Sequence, residues 1–294
     1  MLLFYYNKAS DCVIFNKLRL RGGKTMKQVS RVLLLFILFT SIVMFLAGCS
    51  STNAADEGQY IIDAKALNGY IGKAETVIVD MQKPEDYAKA HVAGAVNIPL
   101  GEIVINQPVA NMLAPKDQIE KVLGAKGISN NSMILIYDNN KNMEAARLWW
   151  TLKMYGHDNA KVVSGGMKAI ESAKLELTAE KPSVTAVNYT AKDKDIEWLA
   201  TIDEVKLIAE NPSDKVILLD TRSSEEYAEG FIPNAVLYNF EENNFKDGTY
   251  KPVDHIKLQY MEDKITADKE IVMYCKTSVR AAQSFLALYN AGYR

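Results

Sequence analysis

The sequence predicts an α/β protein built from two like domains, each with a parallel sheet flanked by helices, and three observations carry the expectation. An apolar run ending in Asp occurs twice, as Thr76-Val77-Ile78-Val79-Asp80 and as Val216-Ile217-Leu218-Leu219-Asp220, 140 residues apart. A second pair agrees, Ile134-Leu135-Ile136-Tyr137-Asp138 with Ile271-Val272-Met273-Tyr274-Cys275, at a spacing of 137. Between the strands lie helical stretches such as Gln118 to Lys126 and Met143 to Tyr155, the alternation that produces βαβ units.

Each repeat reads in the same order. After the first strand, Pro84-Glu85-Asp86-Tyr87 opens a short helix and His91-Val92-Ala93-Gly94-Ala95-Val96 returns to a strand; Glu225-Glu226-Tyr227 and Phe231-Ile232-Pro233-Asn234-Ala235-Val236 repeat this. Leu175 to Trp198 is polar, contains Pro182 and lacks helical periodicity, whereas Thr201-Ile202-Asp203-Glu204 reads as a capping box that restarts structure. The expected division is therefore a first domain over 60–175, a linker over 176–199 and a second domain over 200–294. A length of 294 residues with 48% hydrophobic and 24% charged composition suits two globular cores and excludes disordered and collagen-like classes. A net charge of -2, with Lys and Arg spread along the whole chain, leaves no basic stripe for nucleic acid.

The N-terminus carries a different signal. From Met26 the chain runs Met-Lys-Gln-Val-Ser-Arg, then an apolar stretch from Val32 to Leu46, then Leu46-Ala47-Gly48-Cys49. This resembles a bacterial lipoprotein signal over 26–48, which implies cleavage before Cys49, lipidation of its sulfur and a polar tether over 49–59. The apolar run is shorter than the roughly 20 residues that cross a bilayer as a helix. Residues 1–25 would bury such a signal inside the chain, so they are expected to be a spurious extension with Met26 as the start. The expected location is a membrane of the cell envelope, on the face outside the cytoplasm.

Of three cysteines, Cys12 and Cys49 lie in this N-terminal region, so Cys275 is a lone thiol in the folded part. Cys275-Lys276-Thr277-Ser278-Val279-Arg280 follows an apolar strand and precedes a helix whose Ala281, Phe285 and Leu288 or Tyr289 share a face. In such a loop the backbone N–H groups of Thr277, Ser278 and Val279 curl toward the sulfur as an anion-binding nest, and the helix N-terminus adds positive potential. These surroundings favour the thiolate. Lys276 and Arg280 bracket it and would attract a small oxyanion. Asp138, which holds the equivalent place in the first repeat, cannot accept a sulfur atom.

With these residues the chain resembles a tandem-domain rhodanese from about Gln59 to Arg294. Further motifs carry the resemblance: Asp220-Thr221-Arg222, Glu226-Tyr227 and Ile232-Pro233 in the second repeat, and Arg147-Leu148-Trp149-Trp150 through Gly156-His157 to Ser164-Gly165-Gly166 in the first. The resemblance implies five-stranded sheets, a non-catalytic first domain and a catalytic second one. It also implies a thiosulfate sulfurtransferase that moves sulfane sulfur to cyanide or a thiol through a persulfide on Cys275, with no cofactor. The partners so implied are a small-molecule donor and acceptor, the membrane through the lipid anchor, and an unnamed protein acceptor. Two positions depart from the family pattern: Phe231 stands at a usual His, and Glu226 stands where animal enzymes place a substrate-contacting Arg.

Rival readings remain at this point. Mercaptopyruvate-using relatives resemble a Gly-rich uncharged loop, unlike one that starts with Lys276; cysteine phosphatases have one more residue between Cys and Arg; a non-catalytic persulfide carrier would use the same loop. His91, His157 and His255 lie far apart, which gives no metal-ligand spacing. Trp149 and Trp150 read as core or interface aromatics, and Arg147 as an arginine stacked beside them. Finally, the first repeat continues through Lys161-Val162-Val163, a strand, and Ser164-Gly165-Gly166 into another helix, whereas the second repeat reaches Gly292-Tyr293-Arg294 before that strand. The second domain is therefore expected to be incomplete at its C-terminus.

Overall fold

Ten strands make two five-stranded sheets in the computed structural model, which describes the backbone of residues 15–18 and all of residues 58–294. The signal-like stretch 26–48, Cys49 and the tether to residue 57 lie outside the described residues. The strands are β1 (Phe15–Leu18), β2 (Ile61–Ile62), β3 (Thr76–Asp80), β4 (Val96–Asn97), β5 (Met133–Tyr137), β6 (Ala160–Val163), β7 (Leu199–Ala200), β8 (Val216–Asp220), β9 (Val236–Leu237) and β10 (Glu270–Tyr274). Seven of the helices matter below: α1 (Lys116–Ala125), α2 (Met143–Met154), α3 (Gly166–Ser172), α4 (Ile202–Glu210), α5 (Ser224–Glu229), α6 (Val253–Glu262) and α7 (Val279–Asn290).

The first sheet has the order β2-β6-β5-β3-β4 and is parallel throughout. Its centre follows from composition. Ile134 to Tyr137 are all buried, the continuous apolar run of a strand covered on both faces. On one face lie α1 and α2, and on the other α3 with a short helix at Ala64–Leu67, so two separate clusters of apolar side chains form.

The second sheet repeats this plan in the order β7-β1-β10-β8-β9. Here the expectation of an all-parallel sheet is corrected. β10, β8 and β9 are parallel, but β1 runs antiparallel to both β10 and β7, pairing Asn16 with Met273 and Phe15 with Ala200. The physical reason is the demand of β10 for two partners: its N–H and C=O groups are interior, and unpaired they would each cost about 1–3 kcal/mol. In the first sheet this place beside β5 is held by β6, reached from α2 through the Gly156-His157 turn. In the second sheet the segment Phe15–Leu18 holds it.

The two halves meet through equivalent helices. α2 and α7 each follow the loop at the end of a central strand, each has 12 residues, and they pack on one another, so nearly every residue of both is buried. Trp149 of α2 lies 6.3 Å from Phe285 and 5.5 Å from Tyr289 of α7, and Trp198 of the linker closes on the same two rings. Trp149 and Phe285 occupy matching helix positions, so the interface is built from one residue site used twice. The Thr201 and Glu204 side chains form the capping box that starts α4.

Candidate functional site

Cys275 is the first residue after β10 and is 1% exposed. Ser278 turns the chain in the left-handed region at φ 61° and caps α7, so the helix begins four residues after Cys275, at Val279. Thr277 is half-buried and Val279 buried, while Lys276 is exposed at the surface of the loop. Of the two cations expected to bracket the sulfur, Arg280 stands in the first turn of α7 and interacts electrostatically with Cys275. Arg280 does not stand free there. Its guanidinium donates to both carboxylate oxygens of Glu226, with Nη2 to Oε1 at 2.9 Å and Nη1 to Oε2 as the second prong. That contact holds the Glu226 carboxyl down at about 2, well below the ordinary 4.5.

Arg147, expected to be a structural neighbour of the tryptophans, has a second aspect. It does stack on Trp150, its guanidinium carbon 4.9 Å from the ring centroid. It is also 0% exposed, and burial lowers its pKa to about 10, with an electrostatic interaction with Cys275 of the second repeat working in the opposite direction. Nη2 donates to the Asn111 carbonyl at 2.9 Å, while Nε and Nη1 have no hydrogen-bond partner among the described residues. An arginine inside the apolar run Leu148-Trp149-Trp150 was a visible sign that something requires a charge there; its proximity to Cys275 was not, because it depends on how the halves dock.

The first repeat shows what the same loop becomes without a thiol. Asp138 ends β5 as Cys275 ends β10, and its carboxylate accepts hydrogen bonds from the backbone N–H groups of Asn140 at 2.9 Å, Asn142 at 3.0 Å and Ala145 at 2.9 Å. Asn142 is the left-handed cap of α2, at φ 63°, so this loop has one residue more than the second before its helix begins. Counting from the caps, Glu144 stands where the second repeat has Arg280, and burial followed by repulsion from Asp138 raises its carboxyl to about 7. A Cβ on Gly166, at φ 53°, would lie 2.1 Å from the Asp138 carbonyl oxygen, which receives the Met167 N–H at 2.7 Å. The glycine lets α3 close over the loop.

The histidines take structural places. His91 stacks on Tyr87 at 3.8 Å between the carbonyls of Tyr87 and Glu180, and Phe231 stacks on Tyr227 at 4.1 Å in the second repeat, so the usual His there is replaced by a ring with the same packing. His157 bonds the Ser132 carbonyl, and His255 is exposed. Among the described residues no cluster of three His, Cys, Asp or Glu could hold a metal, and no helix is long and apolar enough to cross a membrane.

Comparison with known proteins agrees with this geometry. A protein from Saccharopolyspora erythraea named "Putative thiosulfate sulfurtransferase" is 30% identical over 218 residues, 69% of this chain and 76% of its own length. One of the same name from Mycolicibacterium smegmatis is 28% identical over 231 residues, 73% of this chain and 82% of its own. The crystal structure of SseA from Escherichia coli, described as a 3-mercaptopyruvate sulfurtransferase with the rhodanese fold, superposes with a TM-score of 0.70 at 22% identity, covering 80% of this chain and 95% of SseA. The rhodanese-like domain family model matches residues 63–173 and 201–294, and with a fold and a strand-loop-helix site of that kind in each half, the chain belongs to the rhodanese-like domain family.

Proposed function

We propose that the chain is a sulfurtransferase that takes sulfane sulfur from thiosulfate and passes it to a thiophilic acceptor through a persulfide on Cys275. The observation that carries the reading is the lone thiol at the end of β10, with the guanidinium groups of Arg280 and Arg147 both in electrostatic contact with it. In the first step the Cys275 thiolate attacks the outer sulfur of thiosulfate; the S–S bond of the donor breaks and its electron pair leaves with sulfite. In the second, a nucleophile such as cyanide attacks the outer persulfide sulfur, forms thiocyanate and returns the thiolate. Both steps concentrate negative charge beside the sulfur, where the N-terminus of α7 and the Arg147 guanidinium oppose it. The name that both relatives carry supports thiosulfate as donor.

A second donor is favoured by one observation. Arg147 keeps two buried N–H groups, on Nε and Nη1, without a partner among the described residues; either could donate to a carboxylate oxygen, and 3-mercaptopyruvate carries a carboxylate. The test for the main reading is intact mass after thiosulfate, with one added sulfur on wild type and none on Cys275→Ser, together with steady-state turnover using cyanide. Absence of both would overturn it. Anchoring through a lipidated Cys49 remains part of the proposal on the strength of Leu46-Ala47-Gly48-Cys49, and since cleavage there separates β1 from the rest of the chain, the pairing of β1 with β10 belongs to the uncleaved form; lipid labelling that survives Cys49→Ala would reject it.

A further inference from the structure

We propose that Glu226 sets the charge of the donor that the Cys275 site accepts: it withdraws Arg280 from substrate binding and leaves Arg147 as the anion anchor, which disfavours a dianion relative to a monoanion. The inference rests on the sulfurtransferase reading and adds a specificity determinant to it.

Arg222 and Arg280 flank the end of β10 and are already matched by carboxylates, while a third guanidinium, Arg147, interacts electrostatically with Cys275 from the first repeat. Arg222 donates through Nε to both oxygens of Asp220, at 2.9 and 3.0 Å, and through Nη2 to Asp220 and to the Gly230 carbonyl, both at 2.6 Å. Arg280 is matched by Glu226 in the fork described above. Arg147 alone of the three combines complete burial with two unpartnered nitrogens. Matching Arg280 removes one positive charge from the loop, and a dianion loses more by that than a monoanion does.

Glu226 is not a carboxylate that can swing away when a dianion arrives. It is the third residue of α5, and its Oε2 accepts the Ser223 N–H at 3.3 Å while the Ser223 hydroxyl accepts the Glu226 N–H at 3.3 Å, so the helix cap fixes the side chain from the other end. Arg280, for its part, sits in the first turn of α7, where the helix field opposes a cation. Its position is therefore set by Glu226. A dianion that recruits Arg280 must displace an intramolecular partner held in bidentate geometry, and a monoanion bound by Arg147 need not.

Glu226→Gln tests this, because glutamine keeps the cap acceptor while removing the charge. With cyanide as acceptor, kcat/KM is measured for thiosulfate and for 3-mercaptopyruvate, and in parallel the Kd of sulfite and of pyruvate is measured on resting protein at pH 8. The expected result is a rise of about tenfold in the thiosulfate to mercaptopyruvate ratio, mainly through a lower thiosulfate KM, with a like rise in the preference for sulfite over pyruvate; this is the size of one hydrogen bond to a charged group. Glu226→Asp should restore most of the wild-type ratio. Equal changes for both donors and both ligands would overturn the inference, since a merely structural residue moves all of them together. Wild type that turns over neither donor would reject the sulfurtransferase reading, whereas the sulfite to pyruvate ratio would still decide the role of Glu226.

Discussion

The loops after β5 and β10 stand at the same point of the same fold and differ in what fills them. After β5 the three N–H groups of Asn140, Asn142 and Ala145 converge on the carboxylate of Asp138, so the nest is occupied by an anion that belongs to the chain. After β10 the side chain is a thiol, and any anion in that position must arrive from outside. The neighbouring charge is inverted as well, with Glu144 in the first repeat at the place of Arg280 in the second. An anion nest at a strand-to-helix junction is thus neutral as to function: it stabilises the fold when the protein supplies the anion, and it can stabilise a transferred group when the protein does not.

This contrast can be broken at several points. The largest effect is expected from Cys275→Ser, which should lower sulfur transfer by about 10³-fold or more while leaving the unfolding transition nearly unchanged. Adding Asp138→Cys to that variant should restore nothing, since the first loop is one residue longer and carries Glu144; recovered turnover would show that the thiol alone was missing. Next comes stability: Asp138→Ala leaves three interior N–H groups without an acceptor, and at about 1–3 kcal/mol each the first domain should lose at least about 3 kcal/mol in denaturant titration. A loss below about 1 kcal/mol would mean that the nest does not need its anion.

Arg147→Met should separate stability from activity. Removing an incompletely paired buried charge is expected to leave the protein as stable or up to about 2 kcal/mol more stable, while the KM for the donor rises about tenfold. An unchanged KM would return Arg147 to its place beside Trp150. The carboxylates Glu144 and Glu226 should respond to pH with opposite signs. Glu226 is held at about 2, so its contribution is present above about 4.5, its ordinary value, and fades as pH falls toward 2. Glu144 is raised to about 7, so the folded state keeps a proton that the unfolded chain has released, and stability falls as pH climbs from about 4.5 to 7. Glu144→Gln should therefore be more stable than wild type at pH 8 and equal to it at pH 4, as read by Tm. The smallest effect is expected at exposed Lys276, where Lys276→Ala should raise the thiosulfate KM about twofold, the range of a solvent-screened charge.

The repeat and the position of Cys275 were legible because both are local patterns: an apolar strand, a short polar loop and an amphipathic helix, printed twice. The partner of Arg280 was half legible. Ser223 and Glu226 have capping-box spacing, but a cap and an ion pair look alike in sequence, and Glu226 stood out there as a departure from the family's arginine. The reach of Arg147 toward Cys275 was hidden, since it arises only when α2 and α7 pack. The pairing of Phe15–Leu18 was hidden more deeply, because an antiparallel strand of four residues inserted between parallel neighbours has no periodicity to betray it.

That strand also imposes an order in time. The first sheet can close once Val163 has been made, from segments that all lie between Ile61 and Val163. The second cannot, because Asn16 pairs with Met273, 257 residues further along. At a synthesis rate of about 5–20 residues per second, a growing chain holds β1 without its principal partner for about 13–50 s, while the whole first domain and the linker emerge between them. The half that bears the thiol is thus the last to be assembled, and the strand beside its centre, β1, has the longest wait among the described strands.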